Sequence, residues 1–304
     1  NAKWIWVVYL CITLLCIVSL KLAGMDFFSS VNYSFTTAAT GGFATHSDYS
    51  YLTPVVQYIV TFFCFVSGVN FTMLYITASK RKISTLFNSA ECKFYFFVVV
   101  AFTLFIAFEL MWKNGYALEP ALRSSAFHVV SFITTTGLLA DDPAVWPHVT
   151  WVVLAVCMFF GACSGSTSGG FKCIRCVMLL KIIKNEFRQM LHPNAVLPMR
   201  VDGTNVPSSK RVTLLAFLSI YLILCLFCSF SMIAMGIDNT NAITITLSSL
   251  GNVGPTLGTE IGPTMSWSEL PVAAKWICSV LMLIGRLEIF SVLVIFTPQF
   301  WKEN

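Results

Sequence analysis

Long apolar stretches recur along the sequence, and shorter polar segments separate them. A helix needs about 20 mostly apolar residues to cross a lipid bilayer. The stretches that reach or approach this length, which we predict to be membrane spans, are residues 4–24, 55–77, 94–112, 149–178, 212–237 and 272–296. The last of them contains the charged residues Arg286 and Glu288. The pattern therefore predicts an all-α polytopic membrane protein.

Three shorter segments lie between successive spans, at residues 26–39, 119–135 and 238–250. None reaches the roughly 20 residues that a helical crossing takes. Each opens with a favourable helix start: Asp26, Glu119 before Pro120, and Asp238. Each ends where Thr or Asn meets Gly: Ala39-Thr40-Gly41-Gly42-Phe43, Thr134-Thr135-Thr136-Gly137-Leu138 and Gly251-Asn252-Val253-Gly254-Pro255. We predict three short helices, each followed by a loop at membrane depth.

The order of span, short helix, glycine-bearing loop and span thus occurs three times. We place these units at residues 1–79, 94–183 and 211–304, with hydrophilic segments at 80–93 and 184–210 between them. An internal repeat of this kind indicates pseudo-symmetry about an axis. The chain begins at Asn1 rather than Met, which we interpret as a start within a longer protein.

The basic residues predict the orientation. Most of them lie at residues 80–93 and 172–211, in or beside the two segments between units. The segments that join the two spans of one unit hold most of the acids, including Asp48, Asp141 and Glu260. By the positive-inside rule, the segments between units are cytoplasmic and the short helices enter from the outside.

Composition agrees with a membrane protein. Apolar residues make up 57% of the chain and charged residues 11%, whereas soluble domains have about 45–50% and about 25%. The net charge of +5 is too small and dispersed for a nucleic-acid surface. Most of the eleven cysteines lie in apolar runs, where they act as small hydrophobes. The pairs Cys173/Cys176 and Cys225/Cys228 lack the second ligand pair of a zinc site.

The glycine-bearing loops are candidates for ion coordination. Irregular backbone survives at membrane depth only where protein buries it or where it lines water. Three equivalent loops should therefore meet at one aqueous axis, where backbone carbonyls can replace the hydration shell of a cation. The short helices would direct their partly negative C-terminal ends at this axis. The alternative is that the glycines mark simple kinks or turns between spans.

The fourth span contains a run of small residues at 160–170, Phe-Gly-Ala-Cys-Ser-Gly-Ser-Thr-Ser-Gly-Gly. Such a run cannot maintain a continuous helix well. We predict a flexible loop that lies just below the glycine-bearing loops, which would form an ion filter, and that blocks the pore along their axis. Tight helix packing through small residues is the alternative.

Arg286 lies within an apolar span, where a charge is costly and usually faces a partner or water. Glu288 is two residues further on and should project to the opposite side of a helix, so it is not an obvious partner. We predict that Arg286 faces the pore. A structural ion pair with another helix is the alternative.

These residues resemble the Trk/Ktr/HKT superfamily of potassium transporters, and most closely its bacterial TrkH branch. Four stretches carry the resemblance, which covers essentially the whole chain: Thr40-Gly41-Gly42-Phe43, Thr134–Gly137, Asn252-Val253-Gly254-Pro255, and Gly285-Arg286-Leu287-Glu288-Ile289-Phe290 through Phe296-Thr297-Pro298. The run at 161–170 and His192-Pro193 also fit.

The resemblance implies potassium uptake through a filter made by four units around one pore. The filter residues that it implies here are Ala39, Thr40, Gly41, Thr135, Thr136, Gly137, Asn252, Val253 and Gly254. The gate residues that it implies are Gly161, Gly165, Gly169, Gly170 and Arg286. Only three units are present in this chain. Leu138 follows the glycine in the unit at 94–183, whereas the unit at 1–79 has Gly42 and Phe43 after Gly41.

The resemblance also implies a location and partners. We expect a multi-pass protein of the bacterial cytoplasmic (inner) membrane that forms a homodimer and binds a cytosolic nucleotide-binding subunit of the TrkA type. Potassium would be the substrate, with no covalently bound cofactor. A secondary transporter of another small solute, or a sodium-permeable cation transporter, is the alternative. A membrane enzyme would need a convergent catalytic set, and the histidines at 46, 128, 148 and 192 are scattered.

Overall fold

The computed structural model describes residues 2–46, 51–80, 84–194, 197–258, 261–264 and 266–302. The helices in these ranges are α1 Ala2–Leu22, α2 Phe27–Ala38, α3 Pro54–Ser67, α4 Phe71–Lys80, α5 Ser84–Asn88, α6 Ala90–Asn114, α7 Leu118–Ile133, α8 His148–Phe160, α9 Cys173–Leu191, α10 Ser208–Ala234, α11 Asn239–Gly251, α12 Val272–Arg286 and α13 Ile289–Leu293. One antiparallel hairpin joins β1 (Arg200–Val201) to β2 (Thr204–Asn205).

The helices repeat in one order: a long apolar helix, a short helix and a broken helix. The long helices are α1, α6 and α10, each long and apolar enough to cross a membrane. The short helices are α2, α7 and α11, and their bounds lie within two residues of the predicted segments. The prediction of an all-α membrane fold is confirmed.

The second span of every unit is broken, which the sequence analysis predicted only for the middle unit. Helices α3 and α4 meet at 95°, and α12 meets the segment from Ile289 at 112°. The predicted spans at 55–77 and 272–296 are therefore bent pairs of helices rather than single straight helices. Gly68 ends α3, Asn70 caps α4, and Glu288 turns the chain with a positive φ of 64°.

The segments between units are more ordered than the loops that we predicted. Helix α5 lies in the segment 80–93, while the end of α9 and the hairpin lie in 184–210. The basic residues Arg81 and Lys82 lie outside the described residues, as do the acids Asp48 and Glu260.

The short helices form the buried centre of the molecule. Helix α7 packs against α6, α3 and α8, and its last seven residues are all buried. Several buried hydroxyls on these helices donate to carbonyls one turn back, as Ser34 does to Ser30 at 2.7 Å and Thr246 does to Ala242 at 2.8 Å. Apolar side chains on the outer faces of α1 and α10 are exposed, as lipid contact requires.

Candidate ion pathway and gate loop

The three short helices end in the same backbone conformation. In each case, the residue at which the backbone turns out of the helix has a positive φ: 52° at Thr40, 55° at Thr135 and 56° at Asn252. Such angles are uncommon for residues other than glycine. Two residues later each loop has a glycine with positive φ, 73° at Gly42, 76° at Gly137 and 108° at Gly254.

The hydrogen bonds confirm this alignment of the loops. Between the two positive-φ positions, each loop has a residue whose N–H donates to a carbonyl five residues back. These bonds run from Gly41 to Thr36 at 2.7 Å, from Thr136 to Ser131 at 2.8 Å, and from Val253 to Ser248 at 2.9 Å. The loops are thus three copies of one structure, despite their different sequences.

This alignment corrects one equivalence made from the sequence. We had matched Gly41 with Gly137 and Gly254, but the backbone places Gly42 in that position. Because Gly41 and Gly42 are adjacent, the sequence does not show which of them corresponds to Gly137 and Gly254. The φ angles decide between them. Gly41 corresponds to Thr136 and Val253, where the other loops have a side chain.

Neighbouring loops touch through their backbones at these glycines. A Cβ atom at Gly42 would stand 1.8 Å from the carbonyl oxygen of Thr136. A Cβ atom at Gly137 would stand 2.0 Å from the carbonyl oxygen of Val253. Gly42 and Gly137 therefore each abut a carbonyl of the next loop, so that only glycine fits at these two positions.

The loops surround a cavity of about 650 Å³. The predicted filter residues that line it are Ala39, Thr40, Gly41, Thr136, Gly137, Asn252, Val253 and Gly254. The remaining predicted residue, Thr135, is buried beneath the cavity, where its hydroxyl accepts a hydrogen bond from the N–H of Gly169 at 2.7 Å. The predicted filter residues thus make up half of the sixteen residues that line the cavity.

The sequence analysis missed three residues that shape this cavity. Gly42 lines it, and Ser248 fixes the last loop by accepting a bond from the N–H of Gly254 at 2.9 Å. Gly285 lets α12 approach α11, since a Cβ atom there would stand 2.1 Å from the carbonyl oxygen of Leu250. A lone glycine beside Arg286 in an apolar span was the available signal for this close approach.

The small-residue run forms an irregular loop between α8 and α9, which we call the gate loop (residues 161–172). It reaches the C-terminal ends of all three short helices. The hydroxyl of Thr167 donates to the carbonyl of Ala38 at 3.1 Å, and Gly169 bonds to Thr135. A Cβ atom at Gly169 would stand 2.4 Å from the carbonyl oxygen of Gly251. Packing through small residues would require the run to be helical, and it is not helical.

Four of the predicted gate residues lie in this loop, and the fifth, Arg286, faces it across a cavity. Gly161 meets the returning chain, because a Cβ atom there would stand 2.5 Å from the carbonyl oxygen of Gly169. Gly165, Gly169 and Gly170 line a second cavity of about 340 Å³. Arg286 lines both cavities and so stands between them.

Arg286 ends α12 rather than lying mid-helix, and its side chain is exposed to the cavities. Within the described ranges, no carboxylate forms an ion pair with it. Glu288 instead pairs with Arg175 at 2.5 Å, and the Arg175 guanidinium stacks 4.0 Å from the ring centre of Phe217. The described structure thus supports the pore-facing alternative for Arg286 over the structural ion pair.

Comparison with known proteins decides the family. The family model described as "TrkH: Cation transport protein" matches residues 1–303. The chain belongs to the TrkH family. A crystal structure of the potassium transporter TrkH from Vibrio parahaemolyticus superposes with a TM-score of 0.93 at 32% identity, covering 99% of this chain and 65% of that one.

Curated relatives of the TrkH family agree. The Trk system potassium uptake protein TrkH of Halomonas elongata is 33% identical over 305 residues, and that of Escherichia coli K12 is 35% identical over 308 residues. Both alignments cover the whole of this chain and 63% of the relative. The chain therefore spans less than two thirds of the length of these relatives.

The two adjacent glycines of this TrkH-family chain give a matched pair of variants. Gly42→Ala places a Cβ atom against the Thr136 carbonyl, which cannot move aside, so we expect cation uptake to fall by at least ten-fold, a factor for which about 1.4 kcal/mol suffices. Gly41→Ala meets nothing closer than the Phe43 ring at 3.6 Å and should retain most uptake. Uptake assays at equal expression test this. Equal losses in both variants would contradict the register.

Proposed function

We propose that this protein carries potassium across the bacterial cytoplasmic membrane through a filter of backbone carbonyls. The meeting of three equivalent glycine-bearing loops at one cavity is the observation that carries the proposal. Backbone carbonyls that line such a cavity can replace the hydration shell of a cation. The C-terminal ends of α2, α7 and α11 add partial negative charge on the cytoplasmic side of the same place. Relatives named as potassium uptake proteins support the choice of ion.

A fourth unit completes the ring in this proposal. Gly42 and Gly137 each abut a carbonyl of the following loop, whereas no described atom lies within 4 Å of a Cβ atom built on Gly254. We propose that the loop of this fourth unit lies between Gly254 and the carbonyl of Gly41. Units at residues 1–79, 94–183 and 211–304 would then be the second, third and fourth of four.

The gate loop and Arg286 would close this pathway below the filter. The loop touches the ends of all three short helices and separates the two cavities. A cation that passes Arg286 meets a positive charge in surroundings of low dielectric constant, where repulsion is strong. The proposal thus combines a steric and an electrostatic barrier on one route.

The regulatory partners belong to the proposal as well. We propose a homodimer that binds a cytosolic nucleotide-binding subunit of the TrkA type on the basic inner face. Exposed basic side chains on the last three turns of α9, Lys184 and Arg188, and near the start of α10, Lys210, support an acidic docking surface on the partner. A sodium-permeable transporter remains the competing function, because carbonyl rings accept either ion.

The experiment that tests the function is ion flux into proteoliposomes that contain the full-length protein. We expect rapid uptake of potassium and weak uptake of sodium, with little uptake of neutral or anionic solutes. Equal fluxes of potassium and sodium would favour the competing cation transporter. Accumulation of another solute against its gradient would contradict the proposal.

The Arg286→Gln variant tests the electrostatic barrier. Since no described carboxylate pairs with Arg286, removal of its charge should change the free energy of unfolding by no more than about 0.5 kcal/mol, as for other substitutions without buried partners. Cation flux should rise by several-fold, because the repulsion is lost. Flux per molecule and thermal stability are measured on the same preparation. A large loss of stability without faster flux would identify a structural ion pair instead.

A further inference from the structure

A buried carboxylate holds both ends of the gate loop. Glu91 lies in the first turn of α6 and is only 6% exposed. Its Oε1 atom accepts hydrogen bonds from the backbone N–H of Ser164 at 2.5 Å and of Ile174 at 3.2 Å. Ser164 begins the central part of the gate loop, and Ile174 follows its end. One side-chain atom therefore joins the two points between which the loop arches.

The position of Glu91 is favourable for electrostatic reasons. Ile174 is the second residue of α9, so its N–H is one of the four that have no partner within the helix. A carboxylate at this end also interacts well with the helix dipole. Within the described residues, no basic side chain forms an ion pair with Glu91. The two backbone bonds therefore offset part of the cost of burying this carboxylate.

In the cytoplasmic hairpin, a second carboxylate accepts hydrogen bonds in the same way, at a point further from the pore than Glu91. Asp202, in the turn between β1 and β2, accepts a bond from the N–H of Ala90 at 2.8 Å and one from the Ser89 hydroxyl at 3.3 Å. Asp202 thus caps α6 just before Glu91. The hairpin is anchored in turn, because Val201 is buried and Lys181 of α9 donates to the carbonyl of Arg200 at 2.7 Å.

We propose that Glu91 is a positioning residue that latches the gate loop in its closed position, and that the hairpin holds the latch through Asp202. The contacts form one continuous path from the cytoplasmic surface to the loop beneath the filter. Asp202 is exposed at the surface, so a partner that displaces the hairpin would release α6 and with it the loop. This inference rests on the proposed potassium pathway.

The latch makes a graded prediction for flux in the absence of any cytosolic partner. Glu91→Ala removes both bonds and should raise basal potassium flux about ten-fold, since a hydrogen bond to a charged group commonly exceeds a ten-fold effect on an equilibrium. Glu91→Gln keeps an acceptor oxygen but loses the charge assistance, which roughly halves the strength of such bonds, so its flux should be intermediate. The order Ala above Gln above wild type is the signature of a latch.

The matched control is Glu186→Ala. Glu186 is an exposed acid on the cytoplasmic part of α9, and its removal changes the net charge equally. Its basal flux should equal that of the wild type. A merely structural Glu91 would instead lower flux in proportion to lost thermal stability. If Glu91→Ala does not fold, Glu91→Gln alone decides, because its basal flux must exceed that of the wild type.

The role of the hairpin is tested by a double-mutant cycle. Asp202→Asn should raise basal flux less than Glu91→Ala does, and adding it to Glu91→Ala should raise flux no further, because Asp202 acts on the gate loop only through Glu91. Independent, multiplied increases would overturn the role of the hairpin. Wild-type basal flux in a folded Glu91→Ala protein would overturn the latch. Absence of potassium flux in the wild type under any condition would instead overturn the proposed function.

Discussion

Replacement of Gly137 by alanine is expected to abolish selective potassium uptake. The added Cβ atom would stand 2.0 Å from the carbonyl oxygen of Val253 and 2.8 Å from Cδ of Pro255, at a φ of 76°. Both neighbours belong to the backbone or to a proline ring, so they cannot move aside as a flexible side chain would. The two loops must separate, and the proposed filter then loses its geometry. Uptake should fall at least ten-fold, since about 1.4 kcal/mol suffices for that factor.

Gly115→Ala is the matched control for Gly137→Ala. Gly115 ends α6 with a φ of 70°, nearly that of Gly137, but no described atom lies within 4 Å of a Cβ atom built there. The backbone strain is thus the same and the collision is absent. Potassium uptake and potassium-over-sodium preference should stay close to those of the wild type. Unaltered selectivity in a folded Gly137→Ala protein would contradict the filter.

Shortening of the gate loop is expected to have the largest effect in the opposite direction. Deletion of residues 166–168 removes the Thr167 bond to Ala38 and the loop segment that reaches the short helices, but retains Ser164 and Gly169. Because the loop separates the two cavities, its removal should raise potassium flux ten-fold or more, as loss of a barrier of about 1.4 kcal/mol would do. Flux per reconstituted molecule is the measurement.

The control for the deletion replaces residues 166–168 by three glycines. This variant retains the length of the loop and therefore the steric barrier, but loses the Thr167 hydroxyl. Its flux should rise much less than that of the deletion. A stable, folded deletion variant with wild-type flux would show that the loop does not obstruct the pathway.

The short helices were predictable because their boundaries are set locally. Asp26 and Asp238 cap α2 and α11, as the sequence indicated, with Asp26 accepting a bond from the N–H of Ser29 at 2.9 Å. This bond also holds the pKa of Asp26 below its ordinary value. Helix α7 instead begins at Leu118, with Ala117 at the cap, so Glu119 was placed near the start but not at it.

The break between α3 and α4 was not predictable, since distant residues stabilise it. The carbonyl of Gly68 accepts a bond from the N–H of Cys163 at 3.0 Å, and the N–H of Phe71 donates to Gly165 at 3.2 Å. The gate loop thus supplies the partners that the backbone loses where α3 ends. The apolar composition of residues 55–77 gives no sign of this contact, which joins positions about ninety residues apart.

The same limit applies to the site. The glycine-bearing loops could be identified because their motifs are local and recur three times. The choice between Gly41 and Gly42 depends on φ angles and on a neighbouring loop, so the sequence left it open. Glu91 gave no signal, because its bonds to Ser164 and Ile174 reach residues 73 and 83 positions away in the chain.

The most direct test of the account is the potassium-to-sodium flux ratio of the full-length protein in proteoliposomes, measured for the wild type and for Gly137→Ala. The account predicts a strong preference for potassium in the wild type. In the variant, it predicts that this preference is lost together with most of the potassium flux. A wild type without preference, or a folded variant that retains it, would contradict the claim that these loops form the filter.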